Sequence, residues 1–236
     1  MKRFKTYLGL TLLIPSLTYA GNLSSICTEL QNSPQGKPSK SLDQKLNDKA
    51  LLGQLRNALK SSAEIRDALC IVSSAKKSEL LEDVLHIPYE NLKPEVFSTL
   101  YALRTDQNQS AIETQAFNWI KDPSSEGITL RVVGSLNLLA MLKSIAKIDL
   151  LSPLFSSQNT DIKIRAYEYF FHHYSDYSKK DRQPLLKTAL TGQPYQLRIA
   201  AIEHYRTLSE DEKNIFRAEL VQCKKDPIVE VREECP

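Results

Sequence analysis

Apolar positions repeat along this chain on two scales. From about Leu42 onward they recur every three or four residues, with Gly and Pro set between the runs. That is the spacing of amphipathic helices, and no stretch alternates as a half-buried strand would. On the longer scale an apolar residue followed by Arg returns at Ile65-Arg66, Leu130-Arg131, Ile164-Arg165, Leu197-Arg198 and Val231-Arg232. Val96-Phe97 holds the same register with Phe in the Arg place. The period is about 34 residues, the length of a helix pair that buries its apolar face by stacking on copies of itself.

The short period predicts first helices at Lys45–Lys60, Ser78–Ile87, Ser110–Lys121, Lys147–Ser156, Asp181–Leu190 and Asp211–Cys223. Second helices are expected to start near Ala63, Lys93, Ile128, Asp161, Tyr195 and Pro227. The stretches "IPYENLKP", "KDPSSEG", "SSQNTD", "TGQPY" and "KKDP" separate the members of a pair. Pro suits these places because its missing N–H costs nothing in a first helical turn. The fold class that follows is all-α, an α-solenoid of about six stacked helix pairs spanning 42–236. Residues 21–41 form an N-terminal segment whose second half, rich in Ser, Pro, Gln and Lys, reads as a linker.

The segment "DPIVEVRE" (Asp226–Glu233) resembles the D-P-x-x-x-V-R turn and helix start of the HEAT-repeat family, in its short HEAT-like form. "QLRIAAIEHYRTL" (Gln196–Leu208) is similar to the small-residue helix that follows that turn. The resemblance covers about Asp43 to Cys235, with Phe97 and three extra residues in "KDPSSEGITLR" as departures. It implies a superhelix whose second helices line a concave surface. A 34-residue period also fits tetratricopeptide repeats, but their small-residue and aromatic columns do not line up here.

Counted from the apolar residue of the pair as zero, positions +3, +4, +7, +8 and +11 share a helix side with zero, and +2, +6 and +9 lie opposite. The shared side is expected to pack. The opposite side carries Val132, Leu136 and Leu139, then Phe170 and His173, then Ile199. An apolar concave stripe of these residues would be a partner-binding surface. Strong curvature would instead bury them between neighbouring helices.

The first residues read as an export signal, and this changes the charge. "MKRFK" is basic, "YLGLTLLIPSL" is apolar but too short to span a membrane, and cleavage fits after Ala20. The whole chain has 31 basic and 28 acidic residues. Lys2, Arg3 and Lys5 leave with the signal, so the remainder is neutral and carries no footprint for nucleic acid. A periplasmic or secreted location follows, with no membrane span after cleavage. There Cys27, Cys70, Cys223 and Cys235 are expected as disulfides. Four Cys allow three connectivities. Nearness in sequence favours Cys223–Cys235, leaving Cys27–Cys70, and unpaired buried thiols are the other reading.

Catalytic and metal motifs are hard to find. His172 and His173 are adjacent, so on a helix they point about 100° apart, and neither has a His or Cys at helical spacing. His172 falls in a packing column and is expected to be buried, whereas His173 faces the stripe. His86 and His204 stand alone. Glu210, Asp211 and Glu212 follow Ser209 and read as a capped, acidic first turn rather than a carboxylate pair for glycoside hydrolysis. Trp119 and Phe117 read as core. Nothing in the sequence calls for a cofactor or a metal. The expected function is a scaffold or adaptor for a protein partner in the cell envelope. The alternative is an enzyme on a helical scaffold, lyase-type or carbohydrate-active.

Overall fold

The computed structural model describes residues 20–33, 38–122, 124 and 127–236. The expected signal at 1–20 lies outside them except for Ala20. Every regular element among the described residues is helical. The helices are α1 (Ala20–Gln31), α2 (Lys40–Leu46), α3 (Lys49–Ala58), α4 (Ile65–Ser74), α5 (Leu81–Leu85), α6 (Pro94–Leu103), α7 (Gln109–Lys121) and α8 (Ile128–Met141). They continue as α9 (Ile148–Phe155), α10 (Thr160–His172), α11 (Lys179–Thr191), α12 (Tyr195–Arg206), α13 (Glu210–Ile215), α14 (Arg217–Cys223) and α15 (Val229–Glu233).

Local chemistry explains many of the boundaries. Ser39, Asp48, Asn159, Ser178 and Ser209 each accept a hydrogen bond from a backbone N–H one turn into the helix they precede. These are N-caps that satisfy amide groups with no partner inside the helix. Pro94 opens α6 in its first turn, where a missing N–H is harmless. Ser209 caps α13 and Glu210, Asp211 and Glu212 fill its first turn, as the capping pattern predicts.

Packing follows the alternation read from the sequence. Helix α3 packs on α4, α5 on α6, α7 on α8, α9 on α10 and α11 on α12. Helices α4, α6, α8, α10, α12 and α15 also form a row in which each touches the next. One contiguous core of buried apolar side chains runs the length of this row. Trp119 is buried in it, edge-on to Phe97 with ring centroids 5.4 Å apart.

Helix α1 was not legible as a packing element. It lies against α4 at the start of the row and buries Leu23, Ile26 and Leu30, spaced three and four apart. Cys27 is bonded to Cys70 of α4, with Cα atoms 5.8 Å apart. Cys223 is bonded to Cys235 across the last pair, with Cα atoms 6.0 Å apart. Two disulfides suit an oxidising, extracytoplasmic compartment. Among the described residues no helix is long and apolar enough to cross a membrane.

Two members of the Arg column, Arg198 and Arg131, are buried turn clamps. Arg198 donates to the Gly192 carbonyl at 2.8 Å and pairs with Asp226 at 2.7 Å, tying the turn before α12 to the turn before α15. Burial alone would raise the Asp226 carboxyl. Arg198 and the Ile228 amide outweigh it and hold that carboxyl below its usual range. Arg131 is fully buried, donates to the Ser124 carbonyl, sits 3.3 Å from Asp122 and lies over the Tyr89 ring. Tyr89 donates to the same Asp122 carboxylate, which together with the Ser124 amide and Arg131 keeps that group below its usual range. By contrast Arg66 is 70% exposed and Arg165 41%, and both make surface pairs.

Candidate functional site

The expected apolar stripe is not a surface. Val132, Leu136, Leu139, Phe170 and His173 are all buried, and Ile199 is half-buried against the core. Phe170 lies edge-on to Phe155 of α9 and also meets Tyr177. In α8 and α10 the +2, +6 and +9 side is therefore enclosed, and in α10 it meets the paired first helix, whereas in α12 Glu203 and Arg206 on that side are exposed. Helix α8 is covered by two neighbouring second helices and by its own partner, and its open side is a different one. The two adjacent His also exchange roles. His172, the last residue of α10, is exposed because no further turn of that helix packs beside it, while His173 is buried with Nδ1 3.2 Å from Asp176.

The open side of α8 carries an apolar groove. It lies between α6 and α8, has a volume of about 600 Å³, and is lined by Pro94, Phe97, Leu130, Val133, Gly134 and Met141 with Ser98, Asn137 and Ala140. Among the described residues no charged side chain lines it. Positions zero, +3, +4, +7 and +11 of α8 supply most of the wall, which is the side expected to pack. Ser98 and Ala140 present small side chains to the hollow, and the space beside Gly134 is taken by the Phe97 ring. Met141 is 42% exposed and Ile145, just past the helix, is 50% exposed. The signal for this site was in "ITLRVVGSLNLLAM", which is apolar on every side. Such a helix is ordinarily enclosed on every side, and α8 is not.

A second, polar cleft lies on the other flank of α6, between it and α4. Its volume is about 330 Å³ and its walls include Gln31, Arg66, Asp67, Ser73, Glu95, Ser98 and Thr99, beside the Cys27–Cys70 bridge. Ser98 borders both the cleft and the groove.

A third cluster surrounds His204, where α10, α11, α12 and α13 meet. Phe171 stacks on the His204 ring at 4.9 Å and Tyr174 closes the other side at 4.6 Å. Arg182 lies over Tyr174 and pairs with Glu212 at 2.7 Å. Burial pushes His204 down to about 4, against the opposing pull of Glu212, so it is neutral near pH 7. Burial pushes the Tyr174 hydroxyl up to about 12. The cluster is a packed aromatic wall with one ion pair, and no groove or cleft described above opens onto it. Among the described residues no three His, Cys, Asp or Glu side chains are placed to hold a metal ion.

No family model, no curated protein and no solved structure matches this chain.

Proposed function

We propose that the chain is an exported, short HEAT-like α-solenoid that binds a protein partner of the cell envelope through the groove between α6 and α8. Three features support the solenoid reading: the 34-residue column of Arg66, Arg131, Arg165, Arg198 and Arg232, the alternation of paired helices, and the row from α4 to α15. Two disulfides and the basic-then-apolar leader support export.

The observation that carries the binding reading is the groove itself. It is open and apolar, no charged side chain among the described residues lines it, and Met141 on its wall is 42% exposed. Unburied apolar surface of this kind gains free energy when a partner covers it, at roughly 25 cal/mol per Å². The earlier expectation of a scaffold or adaptor is kept, and its surface moves from the buried stripe to this groove.

A photo-crosslinking side chain placed at Val133 tests it in the envelope of living cells. The expected result is one protein adduct of defined mass that disappears when Ala140→Trp fills the groove. The same probe at the exposed Asp149 of α9 should give none. No adduct at Val133 under any growth condition, with the protein present and folded, counts against the reading.

A further inference from the structure

We infer that the partner presents an extended segment with a large apolar side chain in the α6–α8 groove and a basic side chain, about three residues away, in the α4–α6 cleft. This rests on the groove being a protein-binding site. It adds what the partner must carry.

Among the described residues the cleft sets two carboxylates and several hydroxyl oxygens beside one guanidinium, that of Arg66. Ser73 donates to the Cys70 carbonyl at 3.2 Å, Ser98 to the Glu95 carbonyl at 3.0 Å and Thr99 to the Leu69 carbonyl at 3.5 Å. These three hydroxyl hydrogens are spent on their own helix or its neighbour, which leaves the three oxygens free to accept. Asp67 adds a carboxylate. Glu95 uses Oε1 on Arg66 at 3.5 Å, while its Oε2 is buried from solvent and has no hydrogen-bond partner. A bound donor would give this oxygen the hydrogen-bond partner it lacks. Among the described residues two carboxylates against one guanidinium leave the cleft one negative charge, so the donor it fits is a cation. An ammonium, with three donors on a flexible stem, matches acceptors spread around a cleft better than a planar fork does.

The spacing comes from the helices. The groove and the cleft flank α6 and share Ser98 at the ridge between them. Packed helices lie about 8–10 Å apart, so two channels on either side of one helix are separated by about 10 Å. An extended chain covers that in about three residues at roughly 3.3 Å each. The segment is therefore of the form apolar-x-x-Lys, lying across the row.

Fluorescent peptides with Phe and Lys three positions apart, in a Ser/Thr background, test this by anisotropy against the full chain. The Phe/Lys peptide is expected to bind about tenfold more tightly than one with norleucine in place of Lys, the size of a charge-assisted hydrogen bond. Glu95→Gln should remove that difference while leaving the norleucine peptide unchanged, and Val133→Trp should abolish binding of both. If the two peptides bind equally well and both are lost in Val133→Trp, the basic requirement is wrong and the groove stands. If neither binds the wild-type chain, whose folding is verified by circular dichroism, the groove reading falls as well.

Discussion

The ring of Phe97 occupies the space that a side chain at position 134 would need, so Gly134 and Phe97 are two halves of one contact between α6 and α8. Phe97 is the one member of its column that is not Arg, and Gly134 is the residue that admits it. The contact also floors the groove, so the departure from the repeat and the candidate site are the same feature.

Replacing Gly134 with Ala forces a methyl into that ring. Overpacking of this kind costs about 1–3 kcal/mol, here offset slightly by the better helix propensity of Ala. The loss should shrink in a Phe97→Leu background. A double-mutant cycle read by urea denaturation measures the coupling. Additive losses from the two changes would mean that the contact does not hold the helices at this distance.

The Arg column predicts unequal costs from equal substitutions. Arg198→Met leaves the Asp226 carboxylate buried without its partner and should destabilise by about 3–5 kcal/mol. Arg66→Met removes an exposed pair and should cost under about 1 kcal/mol. The Asp226 contribution is present above the ordinary carboxylate range, because its folded-state affinity for the proton is lowered, and it fades as pH falls through that lowered range. Equal losses at the two positions would show that the clamps do not differ in burial.

Removing the disulfides tests the two ends of the row. In the chain-entropy account the bridge spanning 43 residues stabilises by about 4 kcal/mol and the one spanning 12 by about 3 kcal/mol. The paired change Cys27→Ser with Cys70→Ser should also raise amide exchange across α1 well above that of α8. Unchanged protection of α1 would mean that Leu23, Ile26 and Leu30 hold it without the bond.

His204 makes stability depend on pH in a defined window. An unfolded His takes up its proton near 6.5, while the folded chain delays uptake to about 4. Between those values the unfolded state binds more protons, so stability falls as pH drops through the window. The rings of Phe171 and Tyr174 and the Glu212 carboxylate face this group, and Arg182 neutralises Glu212. A His204→Phe variant should lose less stability than wild type between about pH 6.5 and pH 4 by urea midpoint. Identical pH profiles would place the titration elsewhere.

Much of the fold was legible because it repeats. The apolar-Arg spacing located the starts of α4, α6, α8, α10, α12 and α15 within two residues, and the Ser209 cap fixed where α13 begins. Of the six expected first helices, Lys45–Lys60 is interrupted after Leu46, Ser78–Ile87 holds only the short α5, and Asp211–Cys223 breaks at Phe216. Helix α1 escaped because it occurs once, before the period starts, in a segment whose later half reads as linker. The stripe at Val132, Leu136, Leu139, Phe170, His173 and Ile199 misled because a helical wheel tells which residues share a side. It does not tell which side faces solvent.

By itself the sequence determined an all-helical chain and where most of its longer helices lie. These depend on local hydrogen bonding and on 3.6-residue periodicity, which neighbours in the chain suffice to specify. Only the tertiary structure decided which side of α8 stays open, that the polar cleft and the apolar groove meet at Ser98, and that Phe97 needs Gly134. Those depend on how three neighbouring helices close around a fourth, and no single helix carries that information in its own pattern.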